Sequence, residues 1–186
     1  MDEVEVSLEF TPNPNSLKFL VNQTLLEKGA LNYKNAEEAS YSPLAKKLFQ
    51  VSGIVGVMIG RNFVTITKGE SGDWDQIHQS TVDTIKDHLK SGEKIVEGEV
   101  SSAPTNHTSA TGEVESKIRQ VLDDEIRPAV AMDGGDITFD KYVDGVVYLF
   151  LQGSCSGCPS SAMTLKMGIE GRLKELVPEI KEVVAI

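Results

Sequence analysis

Cysteine is nearly missing from this chain of 186 residues: there are two, Cys155 and Cys158, three positions apart. That excludes a disulfide framework. It also excludes a self-contained four-thiolate centre, because a tetrahedral zinc or a cubane iron–sulfur cluster takes four protein ligands, often all cysteine. Long apolar runs are absent too, and none approaches the roughly 18 residues of a membrane span. Positive charge is in short supply: 18 Lys and Arg stand against 28 Asp and Glu, a net charge of −10. The imbalance argues against nucleic acid or an anionic membrane surface as partner. Only three histidines occur. His78 and His88 share one predicted helix but miss the i, i+3 or i+4 spacing of a helical metal pair, and are read as surface or core-edge residues. The opening Met1-Asp2-Glu3-Val4-Glu5-Val6 is acidic and alternating. It lacks the basic and apolar segments of an export or organelle signal, so a cytoplasmic protein is expected. In a reducing compartment, two close cysteines hold metal or do redox chemistry more readily than they form a structural disulfide.

What is present divides into two parts around a break. Residues 98–112 are rich in Ser, Thr, Pro and Gly, with Val100 as the only large apolar residue. This is a flexible linker composition, with an end-to-end distance on the order of 20 Å. Residues 1–97 read as a mixed α and β domain. Val4, Val6, Leu8 and Phe10 alternate with polar residues, which is the strand period. Thr11–Asn15 is a turn, and Ser16–Val21 returns as a second strand. Ser42-Pro43 reads as a helix cap followed by a first-turn proline. Ile54–Ile59 and Phe63–Thr67 form a hairpin, and Asp73 caps a long helix that includes Trp74, a packing residue.

Residues 113–186 have the order α-β-β-α-β. A helical stripe starts at Glu113 and is perturbed at Arg127-Pro128; Asp133-Gly134-Gly135-Asp136 stops it and feeds a strand. Asp144-Gly145 is a type I′ hairpin pair between two strands. A helix from Pro159 to about Leu176 carries Met163 and Met167, read as core residues. Ile180–Ile186 supplies a last strand. The whole is thus of the α+β class, two small mixed domains joined by a flexible linker.

The cysteines lie in Gly153-Ser154-Cys155-Ser156-Gly157-Cys158-Pro159-Ser160-Ser161. Two intervening residues let both sulfurs face one centre within a tight turn. Pro159 suits the first position of a helix, which makes Cys158 its cap and places the pair at a partly positive helix terminus, where a thiolate is favoured. Ser160 and Ser161 are read as helping to cap that helix. Small neighbours suggest an exposed, low-pKa pair. The spacing leaves a shared metal site, a dithiol redox pair and an incidental occurrence open. The redox reading asks for a thioredoxin-like domain with more strands than this second part offers.

The segment Ile126-Arg127-Pro128 with Met132–Asp136, the run Leu151–Ser161, and Thr164–Glu170 closely resemble the NifU C-terminal (Nfu) domain. The first part resembles the Nfu N-terminal domain, chiefly through Thr11-Pro12-Asn13-Pro14-Asn15-Ser16-Leu17-Lys18-Phe19. Ser154 stands where alanine is common in the family. The resemblance implies a non-enzymatic iron–sulfur cluster carrier or scaffold. Cys155 and Cys158 of two protomers would hold one [4Fe–4S] cluster, or a [2Fe–2S] cluster, in a cluster-dependent homodimer. An upstream cluster donor and apo iron–sulfur client proteins are the implied partners; nucleic acid and membrane are not. The alternatives are a CxxC dithiol oxidoreductase and a zinc-bridged structural dimer. The first domain is expected to dock client or donor proteins while the linker swings the second.

Overall fold

Alternation in the first residues becomes a strand because its neighbours in the chain turn it back on itself. The computed structural model describes residues 3–97, 112–156 and 159–186, with the backbone alone at 159–162. The chain divides into two units, Met1–Ser102 and Ala103–Ile186. The α+β expectation holds in both. Apart from Gly112, the predicted linker lies outside the described residues.

The first unit is a five-stranded antiparallel sheet with two helices. Its strands are β1 (Val6–Phe10), β2 (Ser16–Val21), β3 (Leu31–Tyr33), β4 (Ile54–Ile59) and β5 (Phe63–Lys68), in the spatial order β1-β2-β5-β4-β3. The β1–β2 turn is tied by side chains. The Thr11 hydroxyl sits 2.9 Å from the carbonyls of Asn13 and Ser16, and the Asn13 side chain accepts from the Asn15 N–H at 3.0 Å. Helix α1 (Pro43–Phe49) starts as its sequence predicts, with the Ser42 hydroxyl accepting from the Ala45 N–H at 3.2 Å. Helix α2 (Trp74–Ser91) is capped by Asp73 and ends at Gly92, whose φ of 70° is the left-handed conformation that closes a helix. Its inward stripe Ile77, Thr81, Ile85 and His88 follows the helical period and meets Phe19, Leu44, Leu48, Val64 and Ile66 in one core. Each of the apolar side chains among these contributes about 1.5–3 kcal/mol when removed from water. His88 is fully buried rather than at the surface, and His78 stacks on Phe19 at 6.0 Å.

The second unit has a three-stranded sheet, β6 (Gly135–Val143), β7 (Val146–Gly153) and β8 (Glu182–Ala185), with β7 in the middle. Helices α3 (Glu113–Val121) and α4 (Arg127–Met132) are joined by a widened π turn over Leu122–Ile126. Pro128 accounts for the widening: it has no N–H to donate one turn back, and its ring crowds the preceding carbonyls. Asp144 and Gly145 have φ of 53° and 89°, the two left-handed positions a type I′ turn needs. Helix α5 (Pro159–Leu176) is the crossover that lets β8 return parallel to β7. Its buried line contains Ile169 and Leu173, with Leu165 partly buried. Met163 and Met167 lie about half a turn away and are 62% and 69% exposed. They are therefore surface residues, contrary to the expectation of a core role.

Candidate metal centre

Two glycines bring the first cysteine into place. Strand β6 begins at Gly135, paired across the ladder with Gly153, the last residue of β7. After Gly153 the chain turns under the end of β6: the Ser154 N–H donates to the Gly134 carbonyl at 3.2 Å, and the Ser154 hydroxyl donates to the Asp133 carbonyl. The Ser156 hydroxyl donates back to the Gly153 carbonyl at 2.8 Å. The turn is therefore anchored on both sides of Cys155. A Cβ placed on Gly135 would lie 2.2 Å from the Cys155 sulfur and 3.1 Å from the Gln152 carbonyl oxygen. The Gly134-Gly135 pair thus does more than stop a helix. Gly134, at φ 77°, makes the turn, and Gly135 leaves the volume that the thiol fills.

Cys155 is only 6% exposed and packs with the second unit's core, and Ser154 is buried beside it. The expectation of an exposed, low-pKa thiol is not met at this position. Burial pushes the Cys155 thiol up to about 11; the Ser154 hydroxyl, 3.9 Å from the sulfur, works against this, while the charges of Asp133 and Asp136 add to it. Small neighbours did not expose the sulfur, because the space they leave is occupied by the sulfur itself. Cys158 lies outside the described residues, as do the side chains of Ser160 and Ser161, so their predicted roles at the helix start are not seen here.

Behind the sulfur sits a charged pair that sequence reasoning missed. The Arg127 Nε donates to the Ile137 carbonyl at 3.1 Å and lies 3.5 Å from the Asp136 carboxylate, while its Nη1 meets Asp123 at 3.0 Å. Burial raises the Asp136 pKa, and the nearby Arg127 guanidinium opposes that shift. The π turn and Pro128, which were read only as a perturbed helix, set where Arg127 leaves the backbone. The motif's Asp-Gly-Gly-Asp pattern was the available signal for Asp136. Among the described residues, no group of three or more His, Cys, Asp or Glu is placed to hold a metal ion.

Comparison with known proteins matches both units. The family described as "Scaffold protein Nfu/NifU N terminal" matches residues 6–92, and that described as "NifU-like domain" matches residues 118–184. The NFU1 iron-sulfur cluster scaffold homolog, mitochondrial, of Drosophila erecta is 42% identical over 179 residues, covering 96% of this chain and 63% of its own length. The human protein of the same name is 40% identical over 179 residues, covering 96% of this chain and 70% of its own. The chain thus spans less than two thirds of the Drosophila relative. A solution structure of a NifU-like protein from Saccharomyces cerevisiae aligns at a TM-score of 0.48 with 28% identity, covering 53% of this chain and 92% of the other. The mitochondrial names of these relatives overturn the expectation of a cytoplasmic protein. The physical reason is that the stretch read for an address, Val4 onward, leads into β1: Val4 is buried and Val6 opens the strand. Its pattern records the folding of a domain and not a destination.

Proposed function

The chain belongs to the Nfu/NifU family of iron–sulfur cluster scaffold proteins, and from that premise we propose that it carries a [4Fe–4S] cluster between two protomers and hands it to apo-proteins. The cluster is cargo, received from an upstream donor, and the chain acts as a carrier and not as a catalyst. Cys155 and Cys158 are the proposed ligands, two from each protomer. One observation carries the reading: a chain with only two thiols, three residues apart, provides half of the sulfur donors a cubane takes. The mitochondrial names of the relatives support a mitochondrial location, and residues 98–112 are proposed as the linker between a recruiting unit and a cluster-binding unit.

The surroundings of Cys155 support temporary possession. Binding to iron requires the thiolate, so loading releases a proton from a group that burial holds as a thiol near pH 7. When the cargo leaves, the same burial and the nearby carboxylates favour return of that proton to the sulfur. The hydrogen bonds of Ser154 and Ser156 anchor the turn on both sides of the sulfur. A dithiol oxidoreductase would instead want a ready thiolate, which the Cys155 environment opposes.

Anaerobic reconstitution with iron and sulfide tests the proposal. The expected product is a brown dimer with about four iron and four sulfide per two chains, and a [4Fe–4S] Mössbauer spectrum. Cys155→Ser and Cys158→Ser should each reduce retained iron at least tenfold. A colourless monomer from the wild-type chain, or iron retention unaffected by both substitutions, would overturn it. Tight zinc that iron and sulfide cannot displace would favour the zinc-bridged dimer instead.

A further inference from the structure

Among the described residues β1 is an edge strand, and its outward hydrogen-bonding groups and its apolar side chains belong to the same residues. The pairing register places Glu5 opposite Asn22, and the Asn22 N–H donates to the Glu5 carbonyl at 3.2 Å. In an antiparallel ladder such pairs alternate, so Glu5, Ser7 and Glu9 turn their backbone groups towards β2. Strand β2 agrees: its next set points the other way, with the Val21 N–H donating to the Asn62 carbonyl at 2.8 Å on the β5 side. The backbone N–H and C=O groups of Val6, Leu8 and Phe10 therefore face outward along the sheet edge. By the two-residue period, these three side chains also share one face. That face lies over the register partners Val21, Phe19 and Leu17, all in the core.

The cover over this face is incomplete. Phe19 is fully buried, but Leu8 beside it is 36% exposed and Phe10 is 86% exposed. A cavity of about 500 Å³ opens there between β1 and the first turn of α2, lined by Leu8, Phe10, Leu17, Trp74, Asp75 and His78 among others. A second, of about 550 Å³, lies at the other end of the strand, lined by Val6, Leu20 and Lys86 among others. Trp74 is held in position by donating its indole N–H to the Pro14 carbonyl at 3.3 Å. An unpaired edge next to an uncovered apolar face is a template for one more strand.

We propose that β1 and the flank of α2 form a docking groove for an extended segment of a partner protein, which adds to the sheet as a sixth strand. The register specifies its chemistry. Residues across from Val6, Leu8 and Phe10 fall on the cavity side and should be apolar. Those between them fall on the opposite face, where Lys18 already holds Glu9 at 2.9 Å and the exposed Glu5 gives the residue beside it a preference for Lys or Arg. A length of about five residues, on the order of 17 Å, matches β1. Self-pairing of two copies is disfavoured by a net charge of −10 on each.

The groove goes beyond the cluster reading and does not depend on it. The test is titration of the full chain with a seven-residue peptide of alternating Lys and Val, blocked at both ends, followed by amide NMR and calorimetry. One-to-one binding is expected, with shifts at residues 5–10 and 74–78. Three comparisons should each weaken it at least tenfold. One is a peptide of the same composition with its Lys and Val in separate blocks. Another is the alternating peptide N-methylated at every second amide, in whichever of the two phases places those amides against the edge. The last is Leu8→Pro, a change an edge strand tolerates where the N–H faces solvent. Phe10→Ser should weaken binding with the fold retained. The Cys155→Ser, Cys158→Ser double variant should bind the peptide as the wild type does, which separates failure of this proposal from failure of cluster loading. Equal binding by the block peptide or by both N-methylated phases, shifts elsewhere, or self-association of the chain through β1 would overturn the groove.

Discussion

Gly135 and Cys155 occupy one volume between them, and the smaller residue makes the larger one possible. Gly135→Ala puts a methyl group 2.2 Å from the sulfur, against a β6–β7 ladder with little room to yield. Overpacking of this kind typically costs about 1–3 kcal/mol. The variant should melt lower in its second unit and retain less iron after reconstitution, as read by calorimetry and iron analysis. Normal iron retention would mean that the sulfur leaves this pocket on loading. A second residue-scale prediction concerns His88. Burial lowers its pKa, Lys47 at 3.5 Å lowers it further, and Glu93 at 3.4 Å pulls the other way. The folded chain therefore keeps His88 neutral at pH values where the unfolded chain, near 6.5, takes up a proton. With a depressed folded pKa, the stability of the first unit is full above about 6.5 and declines as pH falls through that value. Urea denaturation at pH about 7.5 and 5.5 should show the loss, and His88→Leu should reduce it.

At the scale of elements, the sequence was most legible where local chemistry sets an end. Ser42-Pro43, Asp73 and Asp144-Gly145 each marked a boundary that the fold uses, because a cap or a left-handed turn is decided within a few residues. Ser42→Ala should lower the stability of the first unit by about 1 kcal/mol in denaturant titration. Because its hydroxyl also donates to the Ile95 carbonyl at 2.7 Å, detachment of the 95–97 segment should accompany that loss. Gly145→Ala forces a side chain into φ 89° and against Lys181, 2.8 Å away, and should cost the second unit about 1–2 kcal/mol. The sequence was silent on β3. Its three residues have no period of their own, and only pairing with β4 makes them a strand. It also misplaced Met163 and Met167. Alternate apolar positions on α5 give two candidate faces, and the choice belongs to whatever packs against the helix.

For the whole molecule, two units each with its own core lie in one chain, the first carrying the proposed docking groove and the second the proposed cluster site. Removal of iron from the loaded protein by a chelator should convert dimer to monomer in sedimentation, while the melting of the first unit stays unchanged. A dimer that persists after chelation would assign association to protein contacts instead. The sequence by itself determined the number of thiols per chain, the family, and the order of helices and strands apart from β3, because counting, motif spacing and periodicity are properties of neighbours in the chain. Only the tertiary structure decided that Cys155 is buried against Gly135 while Leu8 and Phe10 stay uncovered. Whether a face is covered depends on residues that are distant in sequence and adjacent only after folding.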